Sequence, residues 1–524
     1  MSSLHKPLKS RDGVAIQPVM LVILDGFGLA KASKWNAVTS ARARTIKRFF
    51  SEYPWLRLDP SGEAVGLPRH QMGTSEVGHL NLGAGRVVDQ ALVRVDKAIK
   101  DGTFYSNKAL VGAVEAAKKP GAALHLLGLC SDGGVHSSLE HLFALLELAR
   151  RHEVKHLFLH ALTDGRDTEA RVAKTYLRAI QQRCTKLGVG EIATVGGRYY
   201  GMDRDSRWDR EKKAYDALVS DVGPRFKTAV AAVDAAYARG EGDEFITPSI
   251  IETKDARTSK IIDGDSVIFF NFRQDRARQL SHGFTDEHFT AFAREKVNVR
   301  FTTMTSYEKT LKARVAFPPE TVENGLAEWL SRNKVRQFHA AETEKYAHVT
   351  YFFNGGREQV FRGEERALVP SPRIATYDLK PEMSAAGVLS NAVNALRAGR
   401  YGFIVVNFAN TDMVGHTGKL EAAVKAVETV DGCLSRLETE AAAHGYVLLV
   451  TADHGNVEEM HGVHATSHTL NDVPFFILDP LHRYAANKSV GKARLGDVAT
   501  TVLAIMGLRA PKEMTGRVLV VKKE

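Results

Sequence analysis

Two α/β domains with mainly parallel sheets are predicted by three features of this chain. Short continuous apolar runs, such as Val19–Leu24 and Gly402–Phe408, suit strands buried on both faces. Most of these runs stop at a Gly- or Asp-bearing loop, and several of the loops lead into a helical stretch, the alternation of a parallel sheet. At 524 residues the chain exceeds one ordinary core.

In chain order, Met1 to Pro18 is polar and lacks the apolar segment of a secretory signal, so it reads as a flexible tail. The strand Val19–Leu24 ends at Asp25-Gly26-Phe27-Gly28, and open α/β sheets place ligands at such carboxyl ends. A turn-forming Asp-Gly is the plain alternative. Met72–His79 shows neither helix nor strand periodicity and carries Ser75 between small residues. Asn81–Gly85 and Arg86 then lead to a domain crossing near Val88 to Leu92.

The next stretch repeats strand then helix. Ala123–Cys130, Lys155–Leu162, Ile192–Val195 and Ser266–Phe272 read as strands. Leu139–Arg151, and a segment running to about Leu187, read as helices. The loops after these strands carry His136, Arg166 with Asp167, Arg198 with Arg204, and Arg273 with Arg276. A lone arginine is usually a surface residue. Five on loops at one edge of a parallel sheet converge, and guanidinium grips carboxylate or phosphate in a fork. Phe317-Pro-Pro-Glu320 reads as a linker. The expected domains are therefore 1–88 joined with 318–524, interrupted by 92–317.

In the last third, Ala341–Tyr346 holds Lys345 among acidic neighbours and by itself reads as a solvated charge run. Tyr351–Gly356 reads as a strand and turn. Gly402–Phe408 is a buried strand followed by Asp412 and His416, and Tyr446–Thr451 is another followed by Asp453-His454. Between them Glu421–His444 is an Ala-rich amphipathic helix, with Gly445 suited to the position after its cap. Val473–Asp479 is a further apolar run. Asp497 reads as the cap of a helix to Met506, closed by Gly507.

Composition narrows the function. The formal net charge of +10 suits an anionic ligand, but Lys and Arg are dispersed and no basic block predicts nucleic acid. Three cysteines form neither a disulfide framework nor a metal spacing, which points to a reducing, cytoplasmic setting. The longest apolar runs fall far short of a membrane span.

The chemistry sits at the strand ends. Asp25, Asp412 and Asp453 would meet at one sheet edge, where three carboxylates repel unless a cation joins them. His416, His454 and His468 add imidazole, and mixed Asp/His ligation suits manganese, zinc, cobalt or iron better than magnesium or calcium. Asp412 and His416 are four apart, so one helical turn or a tight loop could present both to one ion. A serine hydroxyl is a poor nucleophile until a cation lowers its pKa. Two cations beside Ser75 would form a phosphoryl- or sulfuryl-transfer centre.

Nine motifs occur in one order: LDGFG at Leu24, MGTSEVGHLNLGAGR at Met72, SDGGVHS at Ser131, DGRDT at Asp164, GRYYGMDRD at Gly197, NFRQDRAR at Asn271, AETEKYAHVTYFFNGG at Ala341, NTDMVGH at Asn410 and TADHGN at Thr451. On these the chain resembles the cofactor-independent phosphoglycerate mutases of the alkaline phosphatase superfamily, from about Pro18 to Val520. Ser138 and Asp472 depart from that pattern.

The resemblance implies an alkaline-phosphatase-like domain with an inserted transferase domain. It also implies interconversion of 3- and 2-phosphoglycerate, in glycolysis and gluconeogenesis, through a phosphoserine. It makes Ser75 the nucleophile. Asp25, Ser75, Asp453 and His454 become ligands of one divalent cation, and Asp412, His416 and His468 those of another. His136, Arg166, Asp167, Arg198, Arg204, Arg273 and Arg276 become substrate-binding residues, with Asp167 handling the glycerate hydroxyl proton and Lys345 contacting phosphate. Manganese is the expected metal, with cobalt, magnesium or zinc as alternatives, and 2,3-bisphosphoglycerate is not required. The expected partners are small molecules only, with no nucleic acid or membrane, and two self-contained lobes suggest a monomer. Among rivals, a phosphatase, phosphopentomutase or sulfatase-like hydrolase would share the metal ligands but not the arginine loops. A basic nucleic-acid-binding protein would need clustered surface charge.

Overall fold

The apolar run Val19–Leu24 lies at the heart of an eight-stranded sheet in the computed structural model, which describes residues 8–462 and 465–523. Every residue of this strand is fully buried, as a strand covered on both faces requires. It pairs in parallel with Phe403–Phe408 on one side and Val447–Thr451 on the other. Across the sheet the order is Glu364–Val369, Gln337–Glu342, Phe403–Phe408, Val19–Leu24, Val447–Thr451, Val473–Leu478, Trp55–Asp59 and Ala493–Arg494. The strand Val473–Leu478 runs antiparallel to both its neighbours. The helix Leu420–Ala443 buries Ala423, Ala426, Val427, Val430, Leu434 and Leu437, an apolar stripe at helical spacing. Past its end, Gly445 takes φ +72°, the left-handed turn that glycine adopts without strain.

A second eight-stranded sheet runs Arg314–Phe317, Arg300–Thr305, Ser266–Phe269, Leu124–Leu129, Leu157–Thr163, Glu191–Gly197, Ser249–Ile251 and Arg225–Phe226. The four strands from Ser266–Phe269 to Glu191–Gly197 are all parallel neighbours. The chain divides into two compact units, Met1–Asp89 with Thr321–Glu524, and Gln90–Glu320. The second is thus inserted in the sequence of the first. Among the described residues no helix is long and apolar enough to cross a membrane.

Four local readings are corrected. Residues 8–18 are not a flexible tail: Lys9 and Ala15 bridge, the Ile16 amide donates to the Leu8 carbonyl at 2.8 Å, and Ile16 packs into the core. Residues 1–7 lie outside the described residues. Ser75 opens a helix, Ser75–Ala84, instead of an aperiodic loop. The period is missing because the helix is buried nearly all round, so no polar face alternates with an apolar one. Tyr351 and Phe352 close a π-helical turn, His348–Phe352, rather than a strand. Core packing of Val349 and Phe353, four apart on one face, overrides the strand preference of this aromatic stretch. Asp497 makes no side-chain bond to the helix Val498–Met506. Its carboxylate accepts from the amides of Arg494 (3.0 Å) and Arg517 (2.8 Å).

The second sheet buries a polar row. His125 Nδ1 lies 2.9 Å from His160 Nε2, His125 Nε2 3.1 Å from Asp265 Oδ2, and His160 Nδ1 3.0 Å from Thr194 Oγ1. Burial holds both imidazoles below the ordinary histidine pKa, His160 well below. The unfolded chain binds protons near about pH 6.5 where these two imidazoles do not, so the stability they contribute is complete above that pH and is lost as pH falls from there toward their lowered folded values. Urea unfolding followed on the Gln90–Glu320 unit should show a loss of about 1–3 kcal/mol between about pH 7 and pH 5.5. His160→Gln should flatten that dependence.

Candidate active site

Three neighbouring parallel strands deliver three aspartates. Asp25 directly follows Val19–Leu24, Asp453 follows Val447–Thr451, and Asp412 sits on the short helix Asn410–Gly415 after Phe403–Phe408. All three are buried. The helix Ser75–Ala84 approaches this edge closely. A Cβ at Gly78 would lie 2.7 Å from Asp453 Cβ, and one at Gly83 would lie 2.0 Å from the Phe353 carbonyl, so only glycine allows the approach.

That approach sets Ser75 in place. Its Oγ donates to Asp25 Oδ1 at 3.1 Å, lies 2.9 Å from His454 Nε2, and accepts from Lys345 Nζ at 2.7 Å. Thr74 caps the helix by accepting from the Val77 amide. Lys345 is buried, not solvated. Its ammonium lies 2.7 Å from Asp25 Oδ1 and 2.6 Å from Asp412 Oδ2. Burial by itself would raise the Asp25 and Asp412 pKa values, but Lys345 holds both carboxyls well below the usual range. The Lys345 ammonium is in turn raised by Asp25, Asp412 and Asp453 against the effect of burial.

Among the described residues the donor atoms form three overlapping groups. One is Asp412, His416 and His468, a second Asp25, Asp412 and His454, a third Asp25, His79 and Asp453; within each, the ligand atoms lie within 4.8 Å of one another. His416 Nε2 and His468 Nε2 each lie 3.2 Å from Asp412 Oδ1. Their other ring nitrogens face the carbonyls of Thr466 and Gly73, both at 2.8 Å, which turns Nε2 inward. Asp453 Oδ2 is buried and accepts no hydrogen bond. It lies 3.2 Å from His79 Nδ1, but that nitrogen faces the Ser75 carbonyl at 2.8 Å. A buried carboxylate oxygen without a donor, amid imidazole and carboxylate, fits a divalent cation. Burial opposes charge on His454, yet Asp453, Asp25 and Asp412 push its pKa up to about 10. A cation taken there displaces that proton, so uptake weakens in acid.

The inserted unit brings the other candidates to one edge. His136 follows Leu124–Leu129, Arg166 and Asp167 follow Leu157–Thr163, Arg198 and Arg204 follow Glu191–Gly197, and Arg273 and Arg276 follow Ser266–Phe269. Most of these cations are not free. Arg198 is buried and bonds Asp164 at 2.7 Å and Asp167 at 2.5 Å. Arg204 and Arg273 share Asp275 at 3.2 and 3.0 Å, and Arg166 pairs with Glu244 at 2.9 Å. Arg276 has no carboxylate at ion-pair distance among the described residues and donates to the Met202 carbonyl at 3.2 Å. Burial, then Arg204, Arg166 and Arg198, lower its pKa. His136 is buried; its Nδ1 makes no hydrogen bond and lies 3.7 Å from Asp275 Oδ1, and burial with Arg198 lowers its pKa to about 4.

Several of these groups escape sequence reasoning. Asp164 appears in the sequence only as the first residue of a motif, yet it organises its loop by accepting from Ser131 Oγ, the Asp167 amide and Arg198. Asp275 and Glu244 have no signal beyond lying near arginines. His79 and Asn407 form a bridge: Asn407 Nδ2 donates to Asp25 Oδ2 at 2.7 Å and lies 2.9 Å from His79 Nε2. A lone Asn inside the buried strand Phe403–Phe408 was the available sign, because a buried amide needs partners.

A family model described as the BPG-independent PGAM N-terminus matches residues 95–309. The chain is 51% identical over 512 residues to the 2,3-bisphosphoglycerate-independent phosphoglycerate mutase of Moorella thermoacetica, covering 97% of this chain and 99% of that one. It is 49% identical over 518 residues to the 2,3-bisphosphoglycerate-independent phosphoglycerate mutase 1 of Methanosarcina barkeri, with the same coverage. The crystal structure of Leishmania mexicana phosphoglycerate mutase at low cobalt concentration is 33% identical, with a TM-score of 0.64 over 99% of this chain and 100% of that one. This chain belongs to the 2,3-bisphosphoglycerate-independent phosphoglycerate mutases.

Proposed function

We propose that the protein interconverts 3-phosphoglycerate and 2-phosphoglycerate by passing the phosphoryl group through Ser75. The observation that carries this reading is the Ser75 hydroxyl, fixed between Lys345 Nζ (2.7 Å), His454 Nε2 (2.9 Å) and Asp25 Oδ1 (3.1 Å). Asp25, Ser75, Asp453 and His454 would hold one divalent cation, and Asp412, His416 and His468 a second. The Asp/His set accepts several divalent metals; manganese is the one the family resemblance favours, with cobalt, zinc and magnesium as alternatives. When bound, such cations acidify a nearby hydroxyl and offset charge on phosphoryl oxygens.

In the forward direction Ser75 Oγ bonds to phosphorus as the bond to the 3-oxygen breaks, and the proton that Ser75 Oγ gives up passes to that oxygen. The Lys345 ammonium favours the ionised serine oxygen and faces the arriving phosphate. Glycerate stays gripped by its carboxylate through Arg276, with Arg166, Arg204, Arg273 and His136 around it, and turns. The 2-hydroxyl then gives its proton to Asp167 and takes the phosphoryl group from Ser75 as the Oγ–phosphorus bond breaks, and that proton is returned to Ser75 Oγ. Asp167, ion-paired to Arg198, serves as base in this direction and acid in the other.

The test is a mutase assay on chelator-stripped protein. Activity should vanish and return with Mn²⁺ or Co²⁺, and 2,3-bisphosphoglycerate should change little. Full activity in metal-free protein removes the cation reading, and release of inorganic phosphate without isomerisation makes the protein a phosphatase. Arg276→Ala should raise KM about 10–100-fold while leaving metal content unchanged, as loss of a charged hydrogen bond implies. An unchanged KM counts against the anion pocket.

A further inference from the structure

Glu458 takes no part in the chemistry proposed above, yet it is 1% exposed and both its oxygens are doubly bonded. Oε2 accepts from the Gly28 amide at 3.0 Å and the Asn456 amide at 2.8 Å. Oε1 accepts from Thr469 Oγ1 and from Asn471 Nδ2 at 3.0 Å. Among the described residues it has no ion pair. Its charge is met by four neutral donors.

Those donors come from three loops. Gly28 ends the turn that begins at Asp25. Asn456 belongs to the loop that carries Asp453 and His454. Thr469 follows His468. Each loop therefore brings a proposed cation ligand, and one carboxylate binds all three. Asn456 extends the arrangement to a fourth loop, since its Nδ2 donates to Asp412 Oδ1 at 3.0 Å. Close approach is built into the backbone: a Cβ at Gly28 would sit 2.3 Å from Glu458 Cδ, and one at Gly455 would sit 2.3 Å from Glu458 Oε1. Gly455 and Thr469 also bridge directly, the Thr469 amide donating to the Gly455 carbonyl at 3.1 Å.

We infer that Glu458 is a positioning residue that sets the spacing of the ligand loops and so governs how tightly a divalent cation is held; this rests on the cation reading proposed above. Four donors aimed at one point demand an acceptor with lone pairs on both oxygens, which only the carboxylate offers. Glutamine keeps the shape but replaces one oxygen with an NH₂ group. Turned toward Gly28 and Asn456, that group meets two backbone amides that cannot accept from it; turned toward Thr469 and Asn471, it forces the hydroxyl and the side-chain amide to reverse, and in either case the charge that gathers the four donors is lost. Outer partners of this kind typically change metal affinity by about 10–100-fold.

The experiment titrates Mn²⁺ alone into chelator-stripped full-length protein by calorimetry, for the parent, Glu458→Gln and Thr469→Val. Glu458→Gln should bind Mn²⁺ about 10–100-fold more weakly. Thr469→Val, which keeps the carboxylate and removes one donor, should shift binding several-fold in the same direction. Saturating Mn²⁺ should restore turnover in both, with KM for 3-phosphoglycerate unmoved. A thermal melt of each metal-free protein checks folding, and Thr469→Val decides the matter should the glutamine variant not fold. Equal affinities in parent and folded variant overturn the inference. So does a loss of turnover that saturating Mn²⁺ fails to restore, because Glu458 would then act in the reaction itself. A parent that takes up no Mn²⁺ overturns the cation reading instead, and the absence of binding heat in the parent tells the two failures apart.

Discussion

Ser75→Ala should lower turnover by roughly 10⁴-fold or more, the scale seen when a covalent nucleophile is removed. The fold should survive, because alanine suits the first turn of the helix Ser75–Ala84 and the cap from Thr74 remains. The contact from the His79 ring Nδ1 to the Ser75 carbonyl also stays. Steady-state assay gives the rate, and trapping the parent with substrate should yield a phosphopeptide that contains Ser75 and is missing from the variant. A variant that still turns over at a tenth of the parent rate removes Ser75 from the reaction.

Lys345→Met carries the second large effect, and it acts on stability as well as rate. The ammonium is the shared counter-charge of Asp25 and Asp412 in a buried site. Methionine fills the space but leaves Asp25 and Asp412 sharing the more distant His454 imidazole, at 3.5 and 3.9 Å, to offset them, and breaking a buried pair from one side costs about 3–5 kcal/mol. The metal-free variant should therefore unfold at markedly lower denaturant than the metal-free parent. Added Mn²⁺ should recover much of the difference, since a ligand that binds only the folded state stabilises it. Activity should remain low even then, because the charge beside Ser75 Oγ is gone. Equal stability of the two metal-free proteins would mean that the carboxylates find another partner.

What could be read from the residues follows from the strength of each signal. The strand-end aspartates were legible because uninterrupted apolar runs mark buried parallel strands, and such strands share a carboxyl edge. The arginine loops were legible for the same reason. Lys345 was not, because Glu342 and Glu344 beside it suggest solvent. The chain turns there from strand to helix, sending Glu342 to Ser371, Glu344 outward and Lys345 to Asp25. The counter-charges Asp164, Asp275 and Glu244 were hidden because their role depends on distance across loops, which no spacing encodes. The helical state of Ser75–Ala84 was hidden because burial on all sides erases the period that announces a helix.

The insertion of Gln90–Glu320 within the other unit has a consequence for biosynthesis. Val19–Leu24 leaves the ribosome about 380 residues before Phe403–Phe408, the strand beside which it settles. At typical elongation rates that is a wait of roughly 20–80 s. The interrupting unit, whose strands all come from one continuous stretch, can fold during that time. The early apolar segment meanwhile has no partner to cover it, so nascent chains stalled before the last third should be the ones that chaperones hold.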